Sequence, residues 1–196
     1  IPFLALLVTI GVFGTAIPGF FEPFSLLEST RQLGEFLIVV IGLTVVMLAG
    51  GIDLAVGSIF ALSTFAAVPT FFIFELPTGV ALLASIATGA AFGAVNGYLI
   101  GYMRLRAFLT TLVTLVICRA IYDILIVNYG SLIQLSSASS DVWDFIGDGD
   151  VYGFSVPVIS ATLLAAIAHI ALTRSRPGWH ILAVGGSRRS AHNSGI

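Results

Sequence analysis

Apolar residues run along this chain in long blocks, interrupted by short polar or glycine-rich breaks. Six blocks qualify, or nearly qualify, as bilayer crossings: residues 3–21, 33–50, 54–74, 78–102, 107–127 and 152–173. A helix needs about 20 apolar residues to cross the hydrocarbon. Lipid offers free backbone groups no partners, and the blocks lack the alternation of barrel strands, so helices are predicted. The expected fold class is all-α, a polytopic membrane helix bundle with about six transmembrane helices.

One break stands apart. Between "FLIVVIGLTVVMLA" and "IFALSTFAAVPTFFIF" lies "GGIDLAVGS", residues 50–58, with a carboxylate at Asp53. From Phe36 to Gly50 the helix would be only about 22 Å long, short of a ~30 Å core. Either it begins earlier, near Leu33, or the chain breaks at Gly50 and Gly51 within the membrane. Adjacent glycines make a poor helix interior, and Asp53 suits the N-cap of a helix starting at Leu54. Two roles stay open for Asp53: a cap at the membrane surface, or a place on a translocation path or moving helix contact.

The fourth block carries Gly89, Gly93, Gly97 and Gly101 at every fourth position. On a helix this is one small-residue ridge, the pattern that lets a neighbouring backbone approach closely. Asn96 lies beside the ridge and can either bond across a helix contact or point into a polar path. Arg119 and Asp123, spaced i, i+4, are expected to pair on one face of the fifth block. Ser25 followed by Glu28 is a capping-box pattern, predicting a short interfacial helix after Ser25. His169 has no second ligand at metal spacing, so no metal site is expected, and it reads as a hydrogen-bonded contact residue.

Composition agrees with lipid as the solvent: 58% of residues are hydrophobic, 9% are charged, and mean hydropathy is +1.07. Soluble domains carry about a quarter charged residues. The net charge of −2 implies no nucleic-acid partner. Cys118 is the lone cysteine, so no internal disulfide can form. All eight basic residues are arginine, which excludes a Walker A loop, a Schiff base and a Ser-Lys pair within the chain. Arg104 and Arg106 follow the fourth block, and Arg174, Arg176, Arg188 and Arg189 follow the sixth. The positive-inside rule makes both places cytoplasmic, with a cytoplasmic N-terminus and an acidic external segment at 128–150. Ile1 is not an initiator Met, and "HNSGI" carries no terminating signal. The chain is therefore expected to be a fragment.

Four stretches carry a resemblance. "GGIDLAVGSIFALS" looks like the signature of the permease subunits of ribose-type sugar ABC importers. "PGFFEPFSLLESTRQLGEFLIVVIGLTVVMLAGGIDLAVGS" is similar to the stretch from their first outer loop through span two. "GAVNGYLIGYMRLRAFLTTLVTLVICRAI" and "TRSRPGWHILAVGGSRRSAHNSGI" resemble two later family patterns in the same order, so the match covers nearly all 196 residues.

The resemblance implies a pore-forming subunit rather than an enzyme, usually of about ten spans, so that about four would follow Ile196. It implies a second permease subunit, identical or different, two cytoplasmic ATP-binding subunits that hold ATP and Mg, and a periplasmic sugar-binding protein. This chain would bind no cofactor itself and would lie in a bacterial inner membrane. Residues 1–173 would form the transmembrane region and 174–196 the cytoplasmic coupling segment. Contact with the ATPase carries over onto Gly185, Gly186, Ser187, Arg188, Arg189, Ala191, Ser194 and Gly195. Gly50, Gly51, Asp53 and Asn96 remain candidates for the path or the helix break. The chain departs from the family at Ser187 and Arg189, where Asn and then an acidic residue are common, and at Ala55, often Ser. Read from the residues alone, an ion-gradient-driven secondary transporter using Asp53 is the alternative. A serine protease at Ser58 lacks its glycine motif.

Overall fold

The computed structural model describes residues 2–196. It is a helix bundle: α1 (Pro2–Ala16), α2 (Pro23–Leu48), α3 (Val56–Phe72), α4 (Thr78–Gly101), α5 (Ala107–Leu135), α6 (Asp141–Asp148), α7 (Val156–Arg174), α8 (Arg176–Gly186) and α9 (Arg188–Asn193). One two-stranded ribbon, β1 (Asp150–Val151) with β2 (Phe154–Ser155), interrupts the helices. Its turn places Tyr152 and Gly153 both at positive φ, 53° and 82°, the geometry that matches strand twist in a two-residue hairpin. Helices α2, α4, α5 and α7 are long and apolar enough to cross a membrane; α1 and α3 are shorter apolar helices.

Several boundaries differ from those expected. No separate helix begins after Ser25. Pro23 in the first turn, with Glu22 as N-cap, starts α2 earlier and the helix runs unbroken to Leu48. Glu28 pairs with Arg31 instead of closing a capping box. The first crossing is shortened by a turn in which Gly19 holds φ 78°. Helix α5 continues to Leu135, about two turns beyond expectation. The last long helix starts at Val156, because Pro157 in its first turn and the ribbon before it fix the start.

Helix α3 packs against α4 and α5, while α2 packs against α7. Short as it is, α3 holds much of the buried apolar surface: Leu62, Phe65, Ala67, Pro69 and Phe71. Large apolar side chains point outward from α1, α4, α5 and α7, as lipid-facing surfaces require.

The connections sort into two ends. One gathers 72–78 and 136–157 against residues 28–34 in the early turns of α2. There Trp143 stacks on Phe71 with centroids 4.7 Å apart, the Ser136 hydroxyl donates to the Phe72 carbonyl (2.6 Å), and Gly34 meets Pro157. Arg31 also reaches the Asp148 carbonyl there, at 2.6 Å. The other end gathers 49–55, 101–107 and 181–192. The arginine-bearing connections therefore share one end, as expected from counting crossings.

Gly34 is the tightest point between α2 and α7, since a Cβ there would stand 2.5 Å from the Pro157 carbonyl carbon and Val158 nitrogen. Gly42, on the same helix, has nothing within 4 Å. Gly34→Ala should therefore lower thermal stability in detergent by about 1–3 kcal/mol. Gly42→Ala should leave it unchanged or raise it by up to about 1 kcal/mol.

Candidate functional site

The break after α2 is a complete helix stop. Ala49 is the C-cap, and Gly50 takes φ 77°, a left-handed conformation that glycine accepts without a Cβ penalty. The Gly50 amide donates to the Met47 carbonyl (2.9 Å) and the Gly51 amide to the Val46 carbonyl (3.1 Å). These two bonds are a Schellman closure, and they satisfy carbonyls that lipid could not. Asp53 does not cap a helix at Leu54 as expected. Helix α3 begins at Val56 with Ala55 as N-cap, and the Asp53 carboxylate accepts from the Ala55 amide (2.8 Å). This is a local turn bond rather than a helix cap. The Thr111 hydroxyl, at the start of the second turn of α5, lies 3.3 Å from the Ile52 carbonyl and tethers the break sideways.

Asn96 is buried, 6% exposed, on α4. The Thr114 hydroxyl donates to its Oδ1 (2.6 Å), while its Nδ2 is buried without a partner. A cavity of about 360 Å³ opens beside it, lined by Gly51, Asp53, Gly93, Asn96, Gly97 and Arg188 among others. The break, the glycine ridge and the first residue of α9 thus meet around one space. A buried amide with two free N–H donors beside such a cavity is the kind of group that takes a polar ligand or water.

The ridge itself is not a close helix contact along its length. A Cβ on Gly89 would lie 3.2 Å from the Ser63 hydroxyl of α3, but Gly93, Gly97 and Gly101 have nothing within 4 Å. The expectation of helix packing narrows to Gly89; Gly93, Gly97 and Gly101 instead border the cavity.

Close glycine packing occurs elsewhere, between α2 and α8. A Cβ on Gly185 would overlap the Leu48 carbonyl oxygen and lie 3.2 Å from the Ala49 carbonyl carbon. A Cβ on Gly50 would in turn meet the Gly185 Cα at 3.4 Å. Gly186 has open space around it. Beyond it, Ser187 caps α9, its hydroxyl accepting from the Ser190 amide (3.2 Å). Helix α9 ends as α2 does: Gly195 holds φ 81°, its amide donates to His192, and the Ile196 amide donates to Ala191. Ala191 is buried, Ser194 is the C-cap, and Arg188 and Arg189 are exposed. His169 is exposed on α7, and Arg119 pairs with Asp123 at 3.2 Å. Among the described residues no group of His, Cys, Asp and Glu could hold a metal ion.

Residues 25–196 match the family described as branched-chain amino acid transport system / permease component. The chain belongs to this permease family. The permease is 34% identical over 194 residues to the ribose import permease protein of Escherichia coli K12, covering 98% of this chain and 60% of the relative. It is 31% identical to the ribose import permease protein of Bacillus subtilis 168, covering 100% of this chain and 59% of that one. The D-allose transport system permease protein of Escherichia coli K12 is 32% identical, with 99% and 58% covered. The permease thus spans about 60% of the length of these relatives. No solved structure matches it significantly.

Two members of the permease site went unsingled in the sequence: Thr111 at the break and Thr114 on Asn96. Their signal was present, since threonines at 110, 111 and 114 fall on one side of an otherwise apolar helix. The α2–α8 contact generates a direct test. In the full-length permease, Gly185→Ala must push α8 off the end of α2 and raise amide exchange across residues 181–196. Gly186→Ala should leave that exchange unchanged.

Proposed function

We propose that the chain is the larger part of the membrane-spanning subunit of an ATP-driven importer that carries a monosaccharide, a ribose-like pentose or a hexose, across a bacterial inner membrane. One observation supports this most: the cavity beside Asp53 and Asn96 is bordered by Arg188 of the segment that resembles the ATPase-coupling helix. The relatives named for ribose and allose import support the substrate class.

In this reading residues 1–173 form the transmembrane region and 174–196 the coupling segment, with the N-terminus and the arginine-bearing end cytoplasmic. The partners are two cytoplasmic ATP-binding subunits, a periplasmic sugar-binding protein and a second permease subunit. ATP and Mg belong to the ATPase, and this chain supplies no chemistry to the sugar. When nucleotide draws the ATPase subunits together, α9 moves with them. Ser187 and the Gly195 closure keep that short helix intact, and Gly185 passes the displacement to the end of α2. The cavity then changes its opening, and the Nδ2 of Asn96 and the carboxylate of Asp53 offer a donor and an acceptor to a passing hydroxyl. Neutral sugars suit such a path, because hydrogen bonds rather than ion pairs replace their water.

The test uses the full-length permease with its ATPase and binding protein in liposomes and a panel of radiolabelled pentoses and hexoses. Uptake should require ATP and loaded binding protein, and Asn96→Leu should lower it about tenfold. Sugar affinity of the binding protein should not change. Uptake that follows a proton or sodium gradient without ATP would overturn the reading.

A further inference from the structure

A second cavity, of about 650 Å³, opens between α3 and α5 and shares no lining residue with the one beside Asn96. Its α5 wall is the second half of that helix, from Tyr122 to Gln134, the half nearer the acidic end. No charged side chain lines it. The walls are aliphatic and aromatic, Phe60 and Phe65 among them, apart from Thr64, Tyr122, Ser131 and Gln134. Elsewhere in the described residues every threonine hydroxyl hydrogen-bonds within the protein, in most cases to a carbonyl of its own helix. The Thr64 hydroxyl makes no such bond, and neither do the polar groups of Tyr122, Ser131 and Gln134. The Tyr122 ring is nevertheless held in place: Phe65 meets it edge to face at 5.9 Å, and the Arg119 guanidinium stands 5.8 Å from its centroid.

Four unpaired polar groups facing one space between membrane-spanning helices are costly unless an occupant bonds them. A lipid chain has nothing to bond them with, and an ionic ligand would find no counter-charge in the lining. A neutral molecule that carries both hydroxyls and an apolar C–H face meets both conditions. Mostly apolar walls with a few polar groups, in a cavity of this volume, are the form that small-ligand sites take. We propose that the α3–α5 cleft binds a monosaccharide, with Thr64, Ser131 and Gln134 bonding its hydroxyls and the rings of Phe60 and Tyr122 covering its C–H face. The proposal rests on the importer reading and deepens it, since it gives the sugar a first station on the outer side, ahead of the cavity beside Asn96.

The experiment uses the full-length permease with its ATPase in lipid nanodiscs, without binding protein, and carries Val68→Cys on the cleft wall in a Cys118→Ala background. Labelling by a membrane-impermeant thiol reagent is followed against rising D-ribose or D-allose, and against potassium chloride of equal osmolality. Sugar should slow the labelling and the salt should not. Tyr152→Cys, on the exposed hairpin, should label at one rate throughout. Gln134→Leu should raise the half-protecting sugar concentration about tenfold, the effect of one lost hydrogen bond. Thr64→Val, which keeps the shape and removes the hydroxyl, should act in the same direction, and Thr64→Ser should restore protection. Labelling that neither sugar slows, or protection that survives both Gln134→Leu and Thr64→Val, would overturn the site. A Val68→Cys thiol that reacts only after lipid is stripped away would also overturn it, making a lipid chain the occupant. ATP-driven uptake in liposomes without sugar protection would remove the site and leave the importer standing. Protection together with uptake that ignores ATP would keep the site and remove the importer.

Discussion

A helix that stops in apolar surroundings must dispose of its last carbonyls, and the rest of this molecule is arranged around how α2 does so. The left-handed Gly50 folds the chain back so that two amides close on Met47 and Val46. That closure leaves the Leu48 carbonyl facing α8, and only a residue without a side chain can approach it. Gly185 fills that requirement. The end of a spanning helix and the start of the α9 segment are thereby fixed to one another by backbone contact, which is stiffer than any pair of long side chains.

Polar groups elsewhere follow the same rule of local satisfaction. Threonines at 110, 111 and 114 return hydroxyl bonds to their own helix, and two of them reach Ile52 and Asn96 as well. Asn96 keeps one unpartnered group beside a cavity, and Asp53 uses one oxygen on Ala55. Unpartnered buried side-chain groups are spread along the bundle: the Asn96 Nδ2 beside the cavity, the Ser63 hydroxyl on α3, and the Arg31 Nε and Ser155 hydroxyl at the opposite end. The opposite end is acidic, with Trp143 clasped between Phe71 and Phe72 and Arg31 already paired. The two ends therefore differ in charge: acidic side chains gather at one, and six of the eight arginines lie at the other.

Much of this was legible in the residues. Length and hydropathy of the blocks gave the helices, because lipid leaves the backbone one solution, and the arginine positions sorted the connections to two ends. The break at Gly50 and Gly51 was visible because adjacent glycines oppose a helix interior. Boundaries set by local chemistry were less visible. Pro23 overrode the Ser25–Glu28 pattern, and Asp53 bonded two residues onward instead of capping at Leu54. The glycine ridge misled for a physical reason: fourfold spacing places glycines on one face but does not say whether that face meets a backbone or a cavity. The meeting of Gly50 with Gly185, more than a hundred positions apart, has no local signature; only the tertiary contact reveals why each must be glycine.

The central claim is that the end of α2 and the α9 segment move as one unit that gates the cavity. The most direct measurement places a cysteine at Asn96 in a Cys118→Ala background of the full-length complex. Its labelling rate by a membrane-impermeant thiol reagent is then followed with and without ATP. The account predicts a rate that changes with nucleotide, and a change that disappears when Gly185→Ala separates the two elements. A rate indifferent to nucleotide, or one that responds equally in the Gly185→Ala protein, would contradict it.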